Sequence, residues 1–204
     1  MEELLRMLEG DDDERWLALY KMKNVDFNLI KPVIPKVIEI LKEKKIVRRM
    51  AFDLLLKISE EKPKILLDHV EDLKRILGKG FESVYSSILL VNVAKVYPDI
   101  VDDETIEKMF EMVRCKEIRA HVLSALSELC SVKPEALIDY IPNLIDLIKD
   151  REFEVRWNAA KILLNKALRM SVKDYIDEIR MIAKDKNLKP SVRVVAYLIL
   201  DELK

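Results

Sequence analysis

Apolar residues recur along this chain at the spacing of amphipathic helices. In five segments, positions 1, 4, 7 and 8 are apolar, which places them on one helical face and leaves Glu, Lys and Asp on the other. The segments begin 36, 36, 35 and 35 residues apart and read IPKVIEIL (34–41), VEDLKRIL (70–77), IEKMFEMV (106–113), IPNLIDLI (141–148) and IDEIRMIA (176–183). Near the start of the chain, Leu4, Met7 and Leu8 occupy the later positions of the same pattern.

A second set of columns predicts a second helix after each of these segments. It repeats six times with a step of 33 to 37 residues. One column reads Glu14, Val47, Val84, Ile118, Val155, Val192, and the next reads Arg15, Arg48, Tyr85, Arg119, Arg156, Arg193. Three residues further on stand Ala18, Ala51, Ile88, Val122, Ala159 and Ala196. A period in this range is typical of helix-pair repeats, which bury their apolar faces only by stacking on neighbours.

The pattern predicts an all-α protein built as one continuous domain over residues 1–204, since no linker or low-complexity segment divides the chain. Aspartates supply side-chain caps where helices should begin, at 11–13 and 102–103. Pro35 and Pro142 stand at matching places near the start of a first helix, where each either kinks the helix or sets its first turn. The predicted repeats are 1–26, 27–62, 63–99, 100–133, 134–170 and 171–204.

These columns resemble the HEAT/armadillo-like repeat family. The resemblance is carried by IPNLIDLI in a first helix and by VRRMA (47–51), IRAHV (118–122), VRWNA (155–159) and VRVVA (192–196) in second helices. It implies a right-handed α-α superhelix (solenoid) of about six helix pairs, whose second helices line a concave surface that binds proteins or peptides. It also implies a polar ladder between repeats, in which the Arg of the second helix joins an Asp. Tyr85 replaces that Arg in the third repeat, so the ladder is in question there.

Composition narrows the classes of function. With 36 basic and 37 acidic residues, the chain lacks the positive charge that general nucleic-acid binding requires. The longest uncharged stretch, residues 83–94, is about half of what spans a bilayer, so no membrane partner is expected. The N-terminus shows no signal-peptide pattern. Two cysteines without metal-ligand spacing favour a reduced, cytoplasmic setting. Abundant Lys and Glu without any Gln indicate a thermophile.

The face of the second helices opposite the buried stripe is the candidate binding surface. Counted from the Arg column at 100° per residue, positions +1, +5 and +8 point away from the stripe. This face should be solvated, yet it carries both tryptophans of the chain. Such side chains are what a binding hot spot needs. The predicted partner-binding residues are Trp16, Tyr20, Arg49, Leu56, Leu90, Trp157, Lys161 and Leu164. The other interpretation is that superhelical twist packs these residues against adjacent repeats.

The last helix, VRVVAYLILDEL (192–203), is apolar almost all round, although a terminal repeat should turn a polar face to water. One interpretation is self-association, as a homodimer through Val194, Val195, Tyr197 and Leu198. The other is that the helix simply seals the open end of the stack.

No catalytic, cofactor or metal site is predicted. Neither His69 nor His121 has further ligands at metal-binding spacing, and no phosphate-binding Gly loop or nucleophile motif is present. The predicted function is a non-enzymatic interaction scaffold. The alternative is a HEAT-like DNA glycosylase or another nucleic-acid-acting enzyme on the same fold. The glycosylase would use Trp16, Trp157, Arg156 and Asp53 to hold damaged DNA. Balanced charge argues against this alternative, because a DNA-binding groove needs phosphate contacts.

Overall fold

A computed structural model describes residues 2–43, 46–78 and 80–204. All regular structure in these ranges is helical, which confirms the all-α prediction. The contacts divide the chain into two compact units, Met1–Thr105 and Ile106–Lys204, and the boundary falls within one helix, Asp103–Met112.

The first unit contains three of the predicted second helices, here α2, α5 and α8. Its α-helices are α1 (Glu2–Leu8), α2 (Asp12–Met22), α3 (Phe27–Ile30), α4 (Ile34–Ile40), α5 (Ile46–Glu61), α6 (Lys64–Leu67), α7 (Val70–Lys74) and α8 (Glu82–Ala94). Short 3-10 helices add Lys31–Val33 and Pro98–Ile100. Helix α2 packs on α5 and α5 packs on α8, while α1, α4 and α7 each pack on the second helix that follows them.

The second unit has the same pairing. After α9 (Asp103–Met112), which contains the boundary, its α-helices are α10 (Arg119–Leu129), α11 (Ile141–Leu147), α12 (Phe153–Leu163), α13 (Arg169–Lys173), α14 (Ile176–Lys184) and α15 (Pro190–Glu202). The 3-10 helices are Pro134–Tyr140 and Lys166–Leu168. The second helices α10, α12 and α15 contact one another in chain order, and α11 and α14 pack on α12 and α15.

The two matching prolines set first turns rather than kinks. Pro35 and Pro142 stand at the second position of α4 and α11, where a helix has no intrahelical partner for the backbone N–H that proline lacks. Pro190 is likewise the first residue of α15. These prolines therefore mark helix starts.

The predicted apolar columns form the core. Five members of the column before the arginines are buried, namely Val47, Val84, Ile118, Val155 and Val192, whereas Glu14 is exposed. In the column three residues after the arginines, Ile88 is partly buried and the other five residues have no exposed surface. Burying a Val or Leu side chain stabilises a fold by about 1.5–3 kcal/mol, so these columns hold each pair of helices together.

Aspartates cap the helices as the sequence predicted. The Asp11 carboxylate accepts hydrogen bonds from the backbone N–H of Asp13 and of Glu14, at 3.1 and 3.0 Å, and so begins α2. Asp102 accepts from the backbone N–H of Thr105 at 2.9 Å and from its hydroxyl at 2.6 Å. Lys74 Nζ also donates to the Asp102 carboxylate at 2.6 Å, which ties the end of α7 to this cap.

Because of Asp102, the free energy of unfolding of the first unit should decrease as the pH falls into the acid range. Burial alone would raise its pKa, but the hydrogen bonds from Lys74 and Thr105 hold the pKa well below its ordinary value of 3.8. The ionised carboxylate therefore stabilises the folded state at every pH above that ordinary value, and this contribution is lost as pH falls through the lowered pKa. Asp102→Asn keeps a good cap and removes the charge.

We expect the Asn variant to be less stable than the parent at neutral pH by about 1 kcal/mol or less, because the Asp102 side chain is 52% exposed and solvent screens its pair with Lys74. Below the ordinary value of 3.8 the difference should shrink. Urea denaturation over a pH series measures it, and Lys74→Met should weaken the same pH dependence. A difference that stays constant into strong acid would contradict this assignment.

Candidate functional site

In the first unit, the arginines of the second helices reach the turn of the following repeat. Arg15 on α2 donates from Nη1 to Glu43 Oε2 at 2.9 Å, and Arg48 on α5 lies 3.6 Å from Glu82 at the start of α8. The side chain of Arg15 is only 13% exposed. These pairs join neighbouring repeats through a polar contact beside the apolar core.

The ladder in the second unit is more heavily bonded. Arg119 Nη1 lies 2.9 Å from Asp150, and its Nη2 donates to Glu152 at 2.7 Å. Arg156 bonds differently: its Nη1 donates to the backbone carbonyls of Asp150 and Arg151, and its Nη2 lies 3.3 Å from the hydroxyl of Ser191. The guanidinium groups of Arg119 and Arg156 are therefore already bonded within the protein, and both also reach the neighbouring repeat.

Tyr85 fills the arginine place of the third repeat with an aromatic contact. Its ring stacks on Phe52 of α5, with centroids 4.3 Å apart and planes 21° from parallel. The guanidinium of Arg48 lies 5.8 Å from the Tyr85 ring centroid, within the range of a cation–π contact. The repeat-to-repeat contact at this position is thus aromatic, which accounts for the departure from the Arg pattern.

The first unit exposes a stacked aromatic pair on α2, which we call the Trp16 patch (Trp16 and Tyr20). The two rings lie 5.4 Å apart and within 4° of parallel. Trp16 is 38% and Tyr20 50% exposed. Arg49 occupies on α5 the place that Trp16 occupies on α2; it is exposed and pairs with Asp53 at 3.0 Å. Each aromatic ring therefore keeps one face or edge in water.

The second unit has an equivalent pair on α12, which we call the Trp157 patch (Phe153 and Trp157). Its ring centroids are 6.3 Å apart and the planes are 8° from parallel. Trp157 is 39% exposed, Phe153 is more exposed, and Lys161, one turn further along the helix, is exposed. Phe153 was missed in the sequence because only +1, +5 and +8 were considered; its spacing of four residues before Trp157 was the available signal.

Leu90 was wrongly predicted to face a partner. It is fully buried in the core of the first unit, together with Ser86 and Val93, which occupy the +1 and +8 positions of the same helix. The reason is that α8 packs on α5, on α6, on α7 and on the 3-10 helix Pro98–Ile100, so that its predicted solvent face is covered. Leu56 and Leu164 are partly buried, and Leu56 packs against the core of the first unit.

The C-terminal helix α15 exposes three of the four residues predicted for self-association. Val194, Tyr197 and Leu198 are each about half exposed, whereas Val195 is buried and belongs to the core. Val194, Tyr197 and Leu198 line an open groove of about 620 Å³ between α14 and α15. Ile176, Arg180 and Lys184 supply its other side.

The cysteines are thiols in unlike surroundings. Cys130 is buried, and burial raises the pKa of its thiol to about 11, which makes it a poor nucleophile. Cys115 is partly exposed and its Sγ lies 3.0 Å from the Glu117 carboxylate, a contact that raises the pKa of the thiol. Within the described ranges, no three His, Cys, Asp or Glu side chains gather as a metal site would require. No described helix combines the length and apolarity needed to cross a membrane.

Two residues of the glycosylase alternative already have structural partners. Arg156 is buried and held by backbone carbonyls, and Asp53 is paired with Arg49. The guanidinium of Arg156 is therefore already bonded within the fold, and the exposed aromatic patches are the stronger candidate site.

Comparison with known proteins adds no relative: no family model matches the chain, and no curated protein is significantly similar to it. The resemblance to HEAT/armadillo-like repeats therefore rests on the repeat columns alone.

Proposed function

We propose that this protein is a non-enzymatic interaction scaffold of the HEAT/armadillo-like type, a superhelix that binds a protein or peptide along the face of its second helices. The observation that carries the proposal is the pair of half-exposed aromatic stacks, the Trp16 patch on α2 and the Trp157 patch on α12. We also propose the cytoplasm as its location, from the cysteine usage described above.

Stacking restricts the motion of these rings before any partner binds. Each ring is held by a partner one turn away on the same helix, so a ligand would not have to restrict it further, and the entropic cost of association falls. Tryptophan and tyrosine are enriched among the residues that dominate binding energy, especially where a partner excludes water from them. A partner with its own apolar anchors would cover the ring surface that remains in water.

Charged residues near the aromatic patches indicate the kind of peptide that would bind there. Arg49 occupies on α5 the repeat position that Trp16 has on α2, and Lys161 follows Trp157 by one turn of α12. Both side chains are exposed, and Arg49 also pairs with Asp53. A peptide that combines apolar anchors with acidic residues would satisfy both features, with the apolar contacts giving affinity and the charges giving orientation.

A peptide selected on the full chain provides a defined probe. A displayed library of random peptides is selected against the protein, and the strongest binder is synthesised with a fluorophore for anisotropy titration. We expect Trp157→Ala or Trp16→Ala to weaken its binding by about tenfold or more, the effect typical of a hot-spot residue. Met170→Ala is the matched control, because Met170 is an exposed apolar residue on another helix, α13, of the second unit.

The same variants separate binding from packing. Trp157→Ala should lower the free energy of unfolding by about 1 kcal/mol or less if the ring serves a partner. A large loss of stability, or an equal loss of peptide binding in the Met170 control, would contradict the proposal. Salt-sensitive binding to duplex DNA in a gel-shift assay would instead favour the glycosylase alternative.

A further inference from the structure

The last repeat exposes a surface that is buried in the repeats before it. Position +4 of a second helix packs toward the following repeat: Phe52 of α5 stacks on Tyr85 of α8, and Leu123 and Ala160 of the second unit have almost no exposed surface. On α15 the same position is Tyr197, which is 54% exposed. Tyr197 therefore presents an uncovered stacking face, together with Val194 and Leu198 in the groove against α14.

The arginine of the last repeat also lacks an acidic partner at this face. Arg119 in the second unit pairs with acids at the start of the next second helix. Arg193 is the corresponding residue of α15. It is partly buried, and no acidic residue in the described ranges pairs with it. Its Nε is shielded from water without a hydrogen-bond partner, as are the Nε atoms of Arg15, Arg119 and Arg156, but those three arginines bond through their other nitrogens. A cation that has lost part of its hydration and has no counter-charge favours an acidic neighbour.

The first repeat carries the complementary groups. Asp11 is the N-cap of α2, as Glu152, the partner of Arg119, is the N-cap of α12. The stretch from Glu2 to Glu14 contains seven acidic residues and one basic residue. The acidic turn Asp11–Asp13 therefore occupies the position that, in a later repeat, holds the acidic partner of the arginine in the preceding repeat.

An exposed leucine accompanies this acidic turn. Leu17 on α2 occupies position +2, and at that position on α12 Asn158 is buried and donates to the backbone carbonyl of Ala120 in the preceding repeat. Position +2 therefore faces backward and position +4 faces forward. Leu17 is 40% exposed, so the backward face of the first repeat, like the forward face of the last, is an uncovered stacking surface.

We propose that the uncovered face of the last repeat binds the first repeat of a second copy of this chain, head to tail, with Arg193 of one copy meeting the Asp11–Asp13 turn of the next and Tyr197 packing toward Leu17. Charge complementarity selects this occupant: Arg180 pairs with Asp177 and Lys204 with Asp201, so Lys184 leaves the groove positive, opposite in sign to the acidic turn. Because the two faces differ, the contact is heterologous and assembles copies into open chains or rings rather than closed pairs. It does not depend on the aromatic patches.

Variants of the full chain that change one face at a time test the two faces separately. Sedimentation velocity over a concentration series should show oligomers that grow with concentration and weaken at high salt, since the contact is partly ionic. Arg193→Met should weaken association by about tenfold or more. It should leave the free energy of unfolding of the monomer unchanged, because Arg193 has no partner to lose. Tyr197→Lys and Asp13→Lys/Leu17→Lys change exposed residues on one face each and should each give monomers.

Mixing the Tyr197→Lys protein with the Asp13→Lys/Leu17→Lys protein distinguishes head-to-tail association from symmetric pairing. The Tyr197→Lys protein keeps a working first-repeat face, and the Asp13→Lys/Leu17→Lys protein keeps a working last-repeat face. Together they should form a heterodimer with one copy of each and nothing larger. A parent protein that stays monomeric at all concentrations would overturn the proposal. So would a first-repeat variant that still forms dimers by itself, which would show symmetric pairing through α15.

Discussion

Replacing Leu90 by Ala should lower the free energy of unfolding by about 3 kcal/mol, within the range of about 2–5 kcal/mol measured for buried leucines. Leu90 is fully buried in the core of the first unit, so truncation removes apolar contacts and leaves a cavity that the packed helices cannot close. Urea denaturation followed by circular dichroism measures the loss. Binding of the selected peptide under folded conditions should not change.

The matched control for this variant occupies the same column of the repeat. Leu198→Ala alters position +5 of α15, as Leu90→Ala alters position +5 of α8, but Leu198 is 46% exposed. Its loss of stability should be about 1 kcal/mol or less. Equal losses for the two leucines would show that α8 is not enclosed as described, and would return Leu90 to the candidate binding surface.

Replacing Arg119 by Met should lower the free energy of unfolding by about 2–3 kcal/mol. Its guanidinium joins Asp150 and Glu152, and the side chains of Arg119 and Asp150 are only 15% and 13% exposed. Methionine keeps much of the apolar stem but leaves two carboxylates without their counter-charge. Breaking a fully buried pair in this way costs about 3–5 kcal/mol. The smaller figure is expected here because Glu152 reaches solvent.

Two further variants show whether the pair itself is responsible. Arg180→Met breaks an exposed pair with Asp177 and should change stability by about 0.5 kcal/mol or less. Arg119→Met combined with Asp150→Asn should cost less than the sum of the single changes, because the second change removes a charge that the first has left unpaired. Strict additivity would mean that Arg119 stabilises the fold through its stem rather than through its charge.

Much of the fold follows from local pattern. The apolar columns at −1 and +3 could be read directly, because a residue's side of a helix is set by its place in the 3.6-residue turn. Helix starts at Asp11 and Asp102 could be read for a similar reason, since a cap acts on the backbone of its own first turn. For Pro35 and Pro142 the sequence left a kink and a first turn equally open, and the structure decided between them. The prediction of an all-α protein therefore needed no knowledge of contacts between repeats.

The candidate site could be predicted only in part. Trp16, Tyr20 and Trp157 were found because they lie opposite the buried stripe, and the structure leaves all three partly exposed. The same rule failed for Leu90, since α8 is covered by neighbours on that side as well. It also missed Phe153, which lies on another part of the helix surface and joins Trp157 only through ring stacking.

The sequence by itself determined the helices, their ends and the side of each helix that must be buried, because these depend on residues within one or two turns. Only the tertiary structure decided which of the remaining helix faces stay in water and which groups bond to the arginines of the repeats. It also decided that Tyr85 stacks on Phe52 at the position where an arginine was expected. Those contacts join residues roughly one repeat apart in the chain, so the residue pattern within one helix does not specify them.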